Sequence, residues 1–280
     1  MVAQQNVPAM NRAPTAALRS HYDRLSIFYH WLWGEHIHHG FWRDGESPQE
    51  AQVSLIEELA RRAGVPFGAK VLDVGCGLGG AAFWLAQNRG CSVVGITISP
   101  VQKRRADKRA RSLRLTECVQ FAASDATKLD FEPKSFDVVW NIECSEHLPD
   151  KAQFVSDAAH LLRGNGVFAL CTWFSAEHAR GSQLIAQIAA GMLCPSLATF
   201  RQYSDWLVKG GFADITAADV TPHVAKTWDV CHDIIRRAPT RWFIPLMSRQ
   251  TRRFVASFEL MRRAYRERVL GYAMFTARKP

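Results

Sequence analysis

Three short runs of the 280-residue chain hold side chains able to do chemistry. The first is Val71-Leu72-Asp73-Val74-Gly75-Cys76-Gly77-Leu78-Gly79-Gly80, an apolar stretch that breaks into a glycine-dense turn and continues with a helical pattern. A buried strand, a tight turn and a helix start are where an α/β sheet holds a nucleotide-like ligand, and glycines let the backbone approach it. The spacing Gly75-x-Gly77-x-x-Gly80 also satisfies a dinucleotide fingerprint, so the glycines alone leave the ligand open. Asp73 discriminates. A carboxylate two residues before the first glycine repels a pyrophosphate and attracts a ligand that carries positive charge.

The second run is Asn141-Ile142-Glu143-Cys144-Ser145-Glu146-His147-Leu148-Pro149-Asp150, just past a predicted strand. Glu143 and His147, with Glu146 as third choice, are candidates for a general base or for orienting a second substrate. The third is Trp33-Gly34-Glu35-His36-Ile37-His38-His39-Gly40-Phe41-Trp42. Three histidines in four residues raise a metal site, but consecutive spacing without a second ligand cluster argues against one, and no metal is expected. Packing in a buried segment is the bland explanation. The functional one is an arm that folds over the pocket, with Trp33, His36 and His39 lining the site of the second substrate. Trp173 and Trp228 join that set because indole faces attract cations.

S-adenosylmethionine carries an ammonium and a sulfonium, the charges Asp73 would attract, and the D-x-G-x-G form resembles motif I of the class I methyltransferases that use it. The next strand ends in Gly95-Ile96-Thr97-Ile98-Ser99-Pro100-Val101-Gln102. There Thr97 stands where an acidic residue normally meets the ribose, and it and Gln102 can still hydrogen-bond a hydroxyl. This G-I-T-x-S-P-x-Q run resembles the tocopherol methyltransferases, with related runs in cyclopropane fatty acid synthases. Glu143-x-x-Glu146-His147-x-Pro149-Asp150 is similar to the tocopherol group, and its shorter I-E-x-x-x-H-x-P-D form to sterol C-methyltransferases. Tyr22-Asp23, Trp33-Gly34-x-His36-x-His38-His39-Gly40 and the closing Met274-Phe275-x-x-Arg278-Lys279-Pro280 extend the likeness. It is good over 21–174 and loose over 176–268. The resemblance implies a cofactor set of Asp73, Gly75, Cys76, Gly77, Thr97, Ile98, Gln102, Asp125, Ala126, Asn141 and Tyr22. It implies methyl transfer to an apolar aromatic or prenyl-bearing small molecule, carbon methylation first and oxygen or nitrogen close behind. In the carbon case Glu143 would stabilise a carbocation and then deprotonate it.

The elements that must position these groups alternate. Strands are expected near 69–74, 92–98, 118–122, 136–142, 166–173, 212–220 and 271–277, with helices at 48–64, 79–89, 100–114, 150–163 and 203–210. That order demands a Rossmann-like, seven-stranded, mostly parallel sheet with helices on both faces. Residues 1–14 read as a flexible tail and 15–64 as a helical arm or lid, with one or two helices between Ala16 and Trp33. The core spans 65–175, 207–222 and 269–280, and 176–206 and 223–268 are cap insertions.

Composition narrows the alternatives. The net charge of +9 gathers in Lys103 to Arg114 and Arg249 to Arg268, and a solvated outer helix face explains it better than a phosphate-tracking surface. The N/D-P-P-Y run of amino-directed nucleic-acid methyltransferases is absent, so no nucleic-acid partner is expected. No Tyr-x-x-x-Lys follows the fourth strand, which disfavours a short-chain dehydrogenase. A nucleic-acid methyltransferase and a non-catalytic S-adenosylmethionine-binding protein stay as alternatives. No apolar run approaches the ~20 residues of a membrane span, and no secretory signal opens the chain, so the expectation is a cytoplasmic enzyme. Seven scattered cysteines without a C-x-x-C pair read as buried thiols in a reducing compartment. A homo-oligomer stays open.

Overall fold

The computed structural model describes residues 15–237, 242 and 247–280, with the side chains of 25–33 outside the description. Seven strands form one sheet: β1 (Lys70–Val74), β2 (Ser92–Thr97), β3 (Val119–Ala123), β4 (Phe136–Ile142), β5 (Leu162–Ser175), β6 (Ala213–Asp219) and β7 (Leu270–Arg278). Their order is β3-β2-β1-β4-β5-β7-β6, and β7 runs antiparallel to both its neighbours while the other pairs are parallel. The expected architecture is therefore the observed one. Central β1 is buried from Val71 to Val74 and apolar but for Asp73, as a strand covered on both faces should be.

Local chemistry sets the helix ends. Helix α1 (Thr15–Trp33) is a single helix. In α2 (Pro48–Ala63), Ser47 and Glu50 form a reciprocal cap, and Gly64 closes the far end in the left-handed conformation. Helix α3 (Gly80–Arg89) follows the glycine turn, and α4 (Pro100–Ser112) starts where Ser99 Oγ accepts from the Gln102 amide. Helix α5 (Lys151–Leu161) is capped by Asp150, and α6 (Gln183–Gly191) by Ser182. Helix α7 (Phe200–Lys209) begins at a Thr199/Gln202 cap, three residues earlier than its apolar periodicity predicts. It buries Tyr203 and Leu207 in the core beneath α5, so its first turns sit with the sheet instead of the cap segment drawn through residue 206.

One core cluster joins α2, α3 and the sheet to the helices α6, α9 (Lys226–Arg236) and α10 (Arg249–Arg266), with the short α8 (Thr221–Val224) beside β7. Trp228, Phe254, Phe258 and Met261 are buried there, each contributing ~1.5–3 kcal/mol of apolar burial. The other cluster lies under α5 and α7. Between β1 and β4 the strand order reverses, which opens a crevice at the strands' C-terminal ends. The loops after those strands touch: a Cβ placed on Gly75, whose φ is +83°, would lie 2.4 Å from the Cys144 Cβ.

The basic helix faces are solvated. Arg104, Lys108, Arg111 and Arg114 are exposed, Arg109 pairs with Glu35, and Arg263 pairs with Glu267 at 2.7 Å. All seven cysteines are unpaired thiols. The expectation that all are buried is corrected at two positions: Cys118 is exposed on the turn before β3, and Cys144 is half-buried facing the crevice. Among the described residues no helix is long and apolar enough to cross a membrane.

Candidate active site

The crevice holds a cavity of about 440 Å³, within the range of small-molecule sites. Asp73, Gly75, Cys76, Gly77, Thr97, Ile98, Gln102, Asp125, Ala126 and Tyr22 all line it, so ten of the eleven expected cofactor contacts converge. Asn141 does not. It is fully buried, with Nδ2 donating to the Val74 carbonyl at 2.9 Å and Oδ1 accepting from the Ser145 amide. Its job is to tie β1 to the loop after β4. The Thr97 hydroxyl is also committed inside the protein: it donates to Gln102 Oε1 at 2.7 Å and accepts from the Ser99 amide. That leaves the Gln102 amide nitrogen as the donor available to a ligand. Asp125 Oδ1 accepts from the amide and hydroxyl of Thr127.

Several buried polar atoms on this cavity have no partner. Asp73 Oδ2 and His36 Nδ1 are orphaned, a cost a folded chain tolerates where a ligand completes the bonding. Burial raises the Asp73 pKa to about 7, so a bound cation would pull this carboxyl back to its charged form. An orphaned carboxylate oxygen beside an open glycine turn fits the ammonium end of S-adenosylmethionine. The His36 pKa is lowered to about 3 by burial, with His38 and Arg109 adding to it. His36 thus faces the larger cavity as a neutral ring packed on Gly80, and it does not line the smaller chamber beside it.

A second chamber of about 70 Å³ adjoins the first. Tyr22, Ile37, His38, Glu143 and His147 line both, while Trp173, Trp228, Met192, Phe254 and Phe258 wall the second. His39 lies there too. The side chain of Trp33 falls outside the described residues.

The three candidate bases have different fates. Glu143 sits at φ +52°, a left-handed backbone that non-glycine residues rarely adopt. Its Oε1 accepts from the His39 amide at 2.7 Å, His39 Nδ1 at 2.9 Å and the Tyr272 hydroxyl at 2.8 Å, and Oε2 accepts from Trp173 Nε1 at 3.3 Å. Burial alone would raise its pKa, but the His39 charge and hydrogen bonds outweigh that and hold it below the usual value. It is a fixed negative charge whose two oxygens already serve four donors, which leaves little capacity for a further proton. Glu146 is buried and lines neither cavity. Its Oε1 accepts from the Trp173 amide, its Oε2 has no partner, and burial next to Glu143 raises its pKa to about 7.

His147 remains. Its Nδ1 lies 3.3 Å from the Leu193 carbonyl, which can only accept, so the ring proton sits on Nδ1. The unprotonated Nε2 then accepts from the Tyr22 hydroxyl at 3.0 Å. Burial lowers the His147 pKa to about 4, and the ring is neutral at pH 7. The neighbouring Asp23 anchors the arm, accepting from Ser99 Oγ and the Val101 amide at the start of α4. Leu193, Tyr265 and Tyr272 escaped the sequence reading. The Tyr265 hydroxyl reaches His39 Nε2, and the only trace of Tyr272 is its place in an apolar final strand. Among the described residues, no three His, Cys, Asp or Glu side chains gather as a metal site would need.

Residues 72–170 match the family model of a methyltransferase domain. Over 92% of the chain the sequence is 32% identical to the chloroplastic tocopherol O-methyltransferase of Arabidopsis thaliana, of which 80% is covered. It is 30% identical, over 92% of this chain and 95% of the relative, to the 27-O-demethylrifamycin SV methyltransferase of Amycolatopsis mediterranei. The fold superposes on a mycolic acid cyclopropane synthase solved with S-adenosylhomocysteine, at TM-score 0.85 and 23% identity over 95% of this chain and 98% of that one. With the cavity's unpaired carboxylate at motif I, these likenesses establish that the chain belongs to the S-adenosylmethionine-dependent small-molecule methyltransferases.

Proposed function

We propose that the protein methylates a hydroxyl oxygen on an apolar aromatic or prenyl-bearing acceptor, with His147 as the base. The observation that carries this is the unprotonated His147 Nε2 at the junction of the two cavities, hydrogen-bonded to the neutral Tyr22 hydroxyl. Bound S-adenosylmethionine supplies an electrophilic methyl group on a sulfonium. Asp73, Gly75, Gly77, Gln102, Asp125 and Ala126 would hold it, Asp73 through charge and Gln102 through its free amide. Trp173, Trp228, Phe254 and Phe258 exclude water and favour a flat or branched apolar body. His147 Nε2 takes the acceptor's hydroxyl proton, directly or through Tyr22, as the oxygen attacks. Positioning supplies most of the acceleration for such an in-line displacement, and a base whose proton affinity burial has lowered adds less than the ~10²–10⁴ of one matched to pH 7.

Two relatives carry names of oxygen methylation, a tocopherol O-methyltransferase and a 27-O-demethylrifamycin SV methyltransferase, and this supports oxygen as a target. Carbon methylation is the second reading, and one observation favours it: the charged Glu143 beside Trp173 at the chamber wall would steady a carbocation. Its four donors leave it little capacity to take the proton afterwards. We place the activity in the cytoplasm, consistent with seven unpaired thiols, with the arm and cap segments as a lid over the acceptor. Screening alkylphenols, prenylated hydroquinones and terpenoid alcohols with ¹³C-methyl-labelled S-adenosylmethionine tests the reading. An O-methyl carbon resonance in the product is expected, and a C-methyl resonance on the same acceptor would overturn it.

A further inference from the structure

We infer that Gly191 and Ser257, where α6 crosses α10, are positioning residues that fix which nitrogen of His147 can accept a proton. This inference rests on His147 being the base. A neutral imidazole has one N–H, and its location decides whether the ring is a base or a donor toward the junction. Here the Leu193 carbonyl claims the proton on Nδ1. Cys194 Sγ, 3.8 Å from the same nitrogen, directs its own S–H to the Met192 carbonyl, so it too presents an acceptor.

Both groups belong to the turn that ends α6. Met192 and Cys194 hold that turn to the helix through bonds to the Ile188 and Ala189 carbonyls, and Leu193 adopts φ +58°. The position of the Leu193 carbonyl therefore follows the end of α6, and α6 is placed by its crossing with α10. At that crossing a Cβ on Gly191 would lie 1.7 Å from Ser257 Oγ and 3.0 Å from Ser257 Cβ. A side chain there fits only if the Ser257 hydroxyl turns away from the Arg253 carbonyl and the helices still give by a few tenths of an ångström at the Ser257 Cβ. Ser257 Oγ donates to the Arg253 carbonyl at 2.9 Å, which satisfies the buried hydroxyl while Gly191 packs against it. Separation of the helices by a side chain withdraws the carbonyl from Nδ1. The proton can then move to Nε2 and point at Tyr22, and the base is lost although every atom of His147 is present.

The test uses the full-length chain and needs no acceptor for its first readout. Ring ¹⁵N resonances of His147 should report the Nδ1–H form in the wild type and a mixed or Nε2–H form in Gly191→Ala. Turnover of a long-chain alkylphenol should fall at least tenfold in kcat with KM and S-adenosylmethionine affinity little changed. Gly191→Ala combined with Ser257→Ala removes the 1.7 Å collision and should restore both the tautomer and most of kcat. If Gly191→Ala does not fold, Ser257→Thr, which adds a methyl at the same crossing, carries the same expectation. Wild-type tautomer and kcat in these variants, or no recovery in the double variant, overturns the inference. His147→Ala separates the two levels: activity in it removes the base, whereas its inactivity beside an unaffected Gly191→Ala removes only the positioning role.

Discussion

Replacing Asp73 by Asn should make the ligand-free protein more stable at alkaline pH while crippling cofactor binding. Asp73 is 2% exposed with Oδ2 unpartnered. Its folded pKa of about 7 lies above the ordinary 3.8, so the folded state binds the proton more tightly than the unfolded one. Stability is then complete at low pH, declines as pH rises from 3.8 towards 7, and stays reduced above 7. At ~1.4 kcal/mol per tenfold change in acidity, the full loss is ~4 kcal/mol by pH 8. Asn escapes that loss but buries an amide that lacks a partner, at ~1–3 kcal/mol. A net gain of ~2 kcal/mol, or about 4 °C in Tm, is expected at pH 8, and it should shrink below pH 7 and vanish near about pH 5. Removing the charge that meets a buried cation costs ~3 kcal/mol, more than a hundredfold in Kd. Thermal denaturation at two pH values and calorimetric titration measure both effects. A variant that is less stable at pH 8, or binds S-adenosylmethionine like the wild type, would refute the electrostatic reasoning.

Other perturbations follow from the same geometry. His147 stays neutral until its pKa of about 4, so kcat should hold from pH 8 to about 5; an acid limb at 6.5 would show an unburied imidazole. The same depression means stability is full above 6.5 and is lost as pH falls from there toward 4, visible in urea midpoints. Glu143→Gln replaces one carboxylate oxygen by an NH2 group that cannot accept from Trp173 Nε1, and it removes the negative charge beside His39. It should cost ~1–3 kcal/mol by urea denaturation and remove the stability the wild type loses as pH falls below 4.5; an unchanged midpoint would mean that Glu143 is not held as described. Gly75→Ala sets a side chain at φ +83° against Cys144 and should lose at least ~1–3 kcal/mol and most cofactor affinity. Retention of both would free the two loops from contact.

The parts of this site legible in the sequence are those whose chemistry is local. Asp73 and the glycines of its turn form one contiguous stretch, and strand β1 with its following helix can be read from apolar periodicity alone. Ser99, Pro100 and Gln102 likewise announce the start of α4 by capping chemistry. What failed depends on distant partners. Glu143 looked like a free carboxylate because its donors, His39, Trp173 and Tyr272, come from the arm, β5 and β7. Asn141 looked like a ligand contact because its acceptor, the Val74 carbonyl, is 67 residues away. The proton location on His147 is set by a backbone carbonyl at Leu193, and no side-chain pattern encodes that.

A ternary structure with S-adenosylhomocysteine and a hydroxyl-bearing acceptor bears most directly on how the two chambers work together. The acceptor oxygen should lie ~2.6–3.2 Å from His147 Nε2 or from the Tyr22 hydroxyl, with the homocysteine ammonium against Asp73. An oxygen lodged at Glu143, or an acceptor bound outside the Trp173–Trp228 chamber, would contradict the assignment of His147 as the base.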